Sequence, residues 1–68
     1  MQVSLKAARV NAGLAQADVA RLMGVSPATV INWEKGRTEP SASQFVKLTE
    51  LMGLRCEDIF LPGLVSST

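Results

Sequence analysis

Frequent interruption is what most restricts the folding of this chain. Glycine stands at Gly13, Gly24, Gly36, Gly53 and Gly63, and proline at Pro27, Pro40 and Pro62. Glycine ends a helix at little cost because it accepts the left-handed conformation, and proline cannot continue a helix begun before it. The stretches between these breaks carry apolar residues at helical spacing. Five short helices are predicted: one within Gln2 to Ala12, then Gln16 to Met23, Pro27 to Lys35, a fourth from a Ser41 cap to Met52, and a last short turn from Cys56 to Phe60. The expected fold is all-α, a compact bundle of five short helices, with residues 1–61 as the domain and 62–68 as a short C-terminal tail.

The start signals agree with these breaks. Ser26 before Pro27 pairs a side-chain cap with a residue suited to the first helical position. Ser41 with Gln44 has the spacing of a capping box. The inward faces follow from the helical period: Leu5, Ala8 and Arg9; Val19, Ala20 and Met23; Val30, Trp33 and Glu34; Phe45, Leu48 and Met52, with Thr49 beside them. Trp33, Met23, Phe45 and Met52 are therefore expected in the core and not around a cofactor. Leu14 and Leu54 anchor their loops.

A domain of 68 residues buries a modest share of its surface and needs tidy packing or a partner to be stable. Histidine is absent and Cys56 is the single cysteine, so a zinc cluster and an internal disulfide are both excluded. Cys56 reads as a small half-buried hydrophobe, with no conventional base nearby to make it a nucleophile. No paired carboxylates in a cleft and no phosphate-cradling glycine loop point to catalysis. The expectation is a protein that is not an enzyme and carries no cofactor or metal. No apolar run approaches a membrane span, and Met1 to Lys6 lacks the order of a signal peptide. A cytoplasmic location is expected.

Helices two and three are joined by a tight turn at Gly24, Val25 and Ser26, the signature of a helix-turn-helix. At about 100° per residue, the side of helix three opposite Val30, Trp33 and Glu34 is centred between Ala28 and Asn32 and flanked by Thr29 and Ile31. That side is small and nearly uncharged, so it can approach base edges closely. Asn32 can make a two-pronged bond to adenine, and the methyl groups of Ala28, Thr29 and Ile31 can meet thymine.

The stretch from Leu5 to Leu54, above all "AGLAQADVA", "GVSPATVINWEKG" and "EPS", resembles the phage repressor and Cro type, or XRE-like, helix-turn-helix family. The resemblance covers about Val3 to Phe60. It implies a lambda-repressor-like DNA-binding domain whose second motif helix lies in the major groove while the first crosses the backbone. Pro27, Ala28, Thr29, Ile31 and Asn32 would then face the bases, with Gln16, Ser26, Lys35 and Arg37 at phosphates. Lys6 and Arg21 could add to the latter set. The family also pairs an arginine and a glutamate across helices one and three, which assigns Arg9 and Glu34 to a structural ion pair. Where this family usually has serine or threonine before Gln16, this chain has Ala15, so a capping bond is expected to be lost.

The implied function is a sequence-specific transcriptional regulator, a repressor binding double-stranded DNA at a palindromic operator as a homodimer. Phe60, Leu61 and Leu64, in the apolar string that also holds Ile59 and Val65, are candidate dimer contacts. A second reading uses the same segment to hold a protein partner, as the antitoxin half of a toxin–antitoxin pair does. The net charge of +1 is low for a DNA-binding domain, so local placement of charge must do what the total does not.

Overall fold

The computed structural model describes residues 3–60. The chain runs β1 (Val3–Ser4), α1 (Leu5–Asn11), α2 (Gln16–Met23), α3 (Pro27–Lys35), α4 (Ala42–Leu51), a 3₁₀ turn (Cys56–Asp58) and β2 (Ile59–Phe60). The all-helical class holds, but the expected fifth helix is replaced by that single turn and a two-residue strand. β1 and β2 pair in parallel, Val3 opposite Ile59 and Ser4 opposite Phe60. The reason is local and tertiary together. The Asp58 N–H donates to the Arg55 carbonyl at 2.9 Å, and the Asp58 carboxylate accepts from the Arg55 N–H at 3.2 Å. This closes a tight turn at Cys56–Asp58. Extending Ile59 instead buries it to 4% exposure against the core. α1 lies within the expected Gln2–Ala12 span: Val3 and Ser4 are extended, and Ser4 caps the helix by accepting from the Ala7 N–H at 3.0 Å.

The remaining helix starts follow the sequence. Ser26 accepts from the Thr29 N–H at 3.3 Å, with Pro27 as the first residue of α3. In the Ser41 box, Ser41 Oγ accepts from the Gln44 N–H at 3.2 Å while Gln44 Oε1 accepts from the Ser41 N–H at 2.8 Å. The core they frame is Leu5, Ala8, Val19, Ala20, Val30, Trp33, Leu48, Met52 and Ile59, each buried. Met23 and Phe45 pack against it half-buried. Thr49, the one uncharged polar residue buried among the described residues, donates its hydroxyl to the Val46 carbonyl at 2.7 Å. α2 and α3 pack against each other more extensively than any other pair of elements. No described helix is long and apolar enough to cross a membrane.

All four α-helices end in the same way. The residue after the glycine donates back across the end of the helix: Leu14 N–H to Arg9 carbonyl at 3.1 Å, Val25 to Ala20 at 2.9 Å, Arg37 to Asn32 at 2.9 Å and Leu54 to Thr49 at 2.9 Å. With the matching glycine bonds this is the Schellman arrangement, in which the residue after the glycine commonly packs back on the helix. Leu14, Val25 and Leu54 do so, half-buried against the core. Arg37 is the exception and is exposed.

Gly24 has φ +71° in the turn between α2 and α3, and a Cβ added there would meet nothing within 4 Å. Replacing it therefore tests the backbone alone. Gly24→Ala should destabilise the domain by about 1–2 kcal/mol, and Gly24→Asn by less. Thermal unfolding checks this; an alanine variant melting like the parent would show that the turn does not need its left-handed residue.

Candidate nucleic-acid interface

The outer surface of α3 is built by the residues that cannot reach the core. Pro27, Ala28 and Lys35 are exposed, and Thr29, Ile31 and Asn32 are half-buried along the flanks. Ala28, Asn32 and Lys35 succeed one another at four- and three-residue steps, so they share one stripe of the helix. Val30 and Trp33 occupy the other side, at 0% and 3% exposure, and hold α3 on the core. The Asn32 side-chain amide makes no hydrogen bond among the described residues, while its backbone carbonyl is tied to Arg37. The Thr29 and Ser26 hydroxyls lie 3.1 Å apart and bond to each other. This leaves the Thr29 methyl as the part of that side chain not engaged in the cap.

Ser26 and Arg37 are exposed at the two ends of α3, and Lys35 lies one residue before Gly36. Arg37 is fixed in place by its own N–H bond to the Asn32 carbonyl, so its backbone position is part of the helix end. The structure thus brings Ser26, Lys35 and Arg37 around the same helix that carries Ala28 and Asn32. The Arg21 guanidinium pairs with Asp18 at 3.3 Å.

Below this surface lies a charged cluster. Arg9 Nε donates to Glu34 Oε2 at 2.6 Å, Arg9 Nη2 to Glu34 Oε1 at 3.5 Å, and Arg9 Nη1 to the Leu14 carbonyl at 2.8 Å. The side chains of Arg9 and Glu34 are 10% and 5% exposed. Gln16, expected at a phosphate, donates from Nε2 to Glu34 Oε1 at 3.0 Å. One carboxylate on α3 is therefore held from α1 and from the first residue of α2. Sequence reasoning missed the Gln16 bond because nothing local links residues so far apart in the chain.

The start of α2 bears out the expected loss of a side-chain capping bond. Ala15 has no side-chain acceptor, and the bond lost there is real. Asp18 supplies the other half of the box, its Oδ2 accepting from the Ala15 N–H at 2.8 Å. The residue spacing of a capping box was present in the sequence as Ala15 and Asp18, and only the alanine concealed it. The Ala15 N–H, and secondarily Arg21, hold the Asp18 carboxyl below its ordinary pKa.

Among known proteins, a helix-turn-helix family model spans residues 5–59, and the chain belongs to that family of DNA-binding regulators, in its XRE-like branch. It is 39% identical over 61 residues to an uncharacterized HTH-type transcriptional regulator of Methanocaldococcus jannaschii, covering 90% of this chain and 92% of the relative. Two uncharacterized HTH-type transcriptional regulators of Archaeoglobus fulgidus are each 30% identical over 61 residues, covering 90% of this chain and 87% and 86% of theirs. No solved structure gives a significant match.

Two measurements test the framework of the site. Arg9→Ala leaves the Glu34 carboxylate buried with only the Gln16 amide and should cost about 3–5 kcal/mol. The double change Arg9→Met with Glu34→Leu should melt above that single variant, because no buried charge is stranded. An Arg9→Ala protein with the parent's melting temperature would rule out a structural ion pair. For Asp18, whose folded pKa is depressed, the stabilising contribution is present above the unfolded carboxylate pKa and lost as pH falls through the folded one. Asp18→Ala should lower the melting temperature at pH 7 and have a smaller effect at pH 2; equal effects at both would mean the carboxylate charge is irrelevant.

Proposed function

We propose that this protein is a cytoplasmic repressor that binds a palindromic operator as a homodimer and reads A·T pairs in each half-site with Asn32. The observation that carries the reading is the stripe of Ala28, Asn32 and Lys35 on an otherwise small and apolar face of α3. A helix fits the major groove only if its side chains there are short, and Pro27, Ala28 and Thr29 supply that. Asn32 has a free amide where a bidentate bond to adenine N6 and N7 would form. The Thr29 and Ile31 methyl groups suit the thymine methyl. Gln16, Ser26, Lys35 and Arg37 are proposed at phosphates, where they position the helix and carry no sequence information. The exposure of Arg37, at a position where the other three helix ends place a core residue, supports that role.

One such domain covers few base pairs, so a pair of copies on a two-fold symmetric site is the economical arrangement. The proposed dimer contacts Leu61 and Leu64 lie outside the described residues, as does the side chain of Phe60. The tail at 62–68 and its boundary lie there too.

Selection of bound sequences from random duplex DNA tests the proposal. The expected product is a palindromic consensus with half-sites about one helical turn apart and A·T pairs at fixed positions. Asn32→Ala should lose about 1–3 kcal/mol of discrimination at one of those positions while keeping its preference elsewhere. A consensus unchanged by the substitution would remove Asn32 from base reading, and an enrichment with no symmetric motif would remove the operator model.

A further inference from the structure

We propose that Glu39 limits affinity for DNA: its carboxylate stands against the phosphates that Arg37 approaches and weakens binding to every duplex alike. The inference rests on the reading of this surface as a duplex-DNA interface and assigns a residue that the reading leaves out. The chain has six acidic residues. Four of them are engaged within the fold. Glu34 is held by Arg9 and Gln16. Asp18 accepts from the Ala15 N–H and pairs with Arg21. Asp58 accepts from the Arg55 N–H, and Glu57 pairs with the Arg55 guanidinium. Glu39 and Glu50 remain, both exposed, their carboxylates without an ion pair among the described residues.

Position separates these two. Glu39 lies two residues past Arg37, so their Cα atoms are at most about 7 Å apart in any loop conformation. The loop is also tied to the helix end, because the Arg37 and Thr38 N–H groups both donate to the Asn32 carbonyl, at 2.9 and 3.5 Å. Pro40 follows and biases Glu39 toward extended backbone, and Ser41 then caps α4. A DNA strand that meets Arg37 therefore also meets Glu39. Duplex DNA carries a phosphate charge about every 1.7 Å along its axis, so a carboxylate near one phosphate is near several.

The chain contains an internal comparison. Arg37-Thr38-Glu39 and Arg55-Cys56-Glu57 have the same spacing of opposite charges. The second closes an ion pair at 3.2 Å, whereas the first leaves both groups exposed and unpaired. From a distance the two charges of the first cancel, and the loop draws little DNA toward it. On contact Arg37 can bond a phosphate while Glu39 repels the neighbouring ones. Phosphates carry no sequence information, so the penalty falls equally on operator and random DNA. The carboxylate sets how tightly the domain binds and leaves to α3 which sequence it prefers.

The test measures binding of the full-length protein to the selected operator and to a scrambled duplex of equal length, by fluorescence anisotropy across a salt series. Glu39→Gln removes the charge and keeps the shape. Glu50→Gln makes the same change of net charge about 12 Å along α4 from its first residue, Ala42. Melting temperatures verify that both variants are folded. Glu39→Gln is expected to tighten both complexes about two- to threefold per bound copy at about 20 mM salt, the effect of one charge pair about 7 Å apart in water. The ratio between the duplexes should stay the same, the effect should fade by about 0.5 M salt, and Glu50→Gln should give clearly less. Glu39→Lys should steepen the fall of log affinity with log salt by about one unit per copy, as one added phosphate contact does. Equal effects of Glu39→Gln and Glu50→Gln would reduce the role of Glu39 to net charge and overturn the proposal. Weaker binding by Glu39→Gln would also overturn it, since the carboxylate would then make a favourable contact. A change confined to the operator would make Glu39 a base reader instead. Failure of the parent to bind any duplex is a separate outcome that defeats the DNA reading and this inference together.

Discussion

The Glu34 carboxylate is the joint on which the arrangement of helices depends. Holding a charge at 5% exposure is expensive, and the structure meets the cost with donors from two other helices. Arg9 uses three nitrogens at once, two toward Glu34 and one toward the Leu14 carbonyl. The guanidinium is planar and its donors are fixed relative to one another, so these bonds specify an angle as well as a distance. An apolar pair of similar volume would hold α1 against α3 about as firmly but would allow the helices to slide. If this surface reads base edges as proposed, it cannot tolerate such freedom, since misplacement of the helix by about an ångström would break a bidentate bond.

The same logic accounts for the repeated helix ends. Every α-helix is closed by a glycine and a back-bonded residue, and at α1, α2 and α4 that residue is an apolar anchor. Short helices have few core contacts each, so an anchor at each end adds burial where the helix itself offers little. At α3 the anchor is given up and Arg37 stands in the solvent. The loss at that end is offset within α3 itself by Val30 and Trp33, both almost fully buried. The departure from the pattern falls at the end of the helix proposed to meet DNA.

What was legible in the sequence was what is encoded locally. The glycines, the Ser26–Pro27 pair and the Ser41–Gln44 box specify α2 and α3 to the residue and α4 to within one. The inward faces followed from helical period because each helix buries one side only. Two features were not legible, for the same reason. The pairing of Val3 with Ile59 joins the two ends of the described chain, and the bond from Gln16 to Glu34 joins two helices. Neither leaves a trace in the neighbouring residues. The segment from Cys56 to Phe60 has composition compatible with a helical turn, and only a partner strand at the other end of the sequence makes the extended form better. The Arg9–Glu34 pair was within reach because both charges fall on faces otherwise made of core residues, an anomaly that a helical projection makes visible.

Net charge illustrates how a sum can hide an arrangement. Of the seven basic residues, Arg9, Arg21 and Arg55 are paired with Glu34, Asp18 and Glu57. Each of those pairs has no net charge and contributes little to a long-range field. Lys6, Lys35, Arg37 and Lys47 are left without an ion pair among the described residues, and two of them flank Gly36 at the end of α3. With so few cations free, each copy releases few counterions on meeting DNA, and sequence-independent attraction is weak. A protein so built gains little from binding DNA at random. Its affinity has to come from close fit, which requires a helix face of short side chains held at a fixed angle. Under the proposed reading, the buried charge on Glu34 and the bareness of Ala28 are two parts of one solution: the first fixes where the helix lies, and the second would let it come near enough to read.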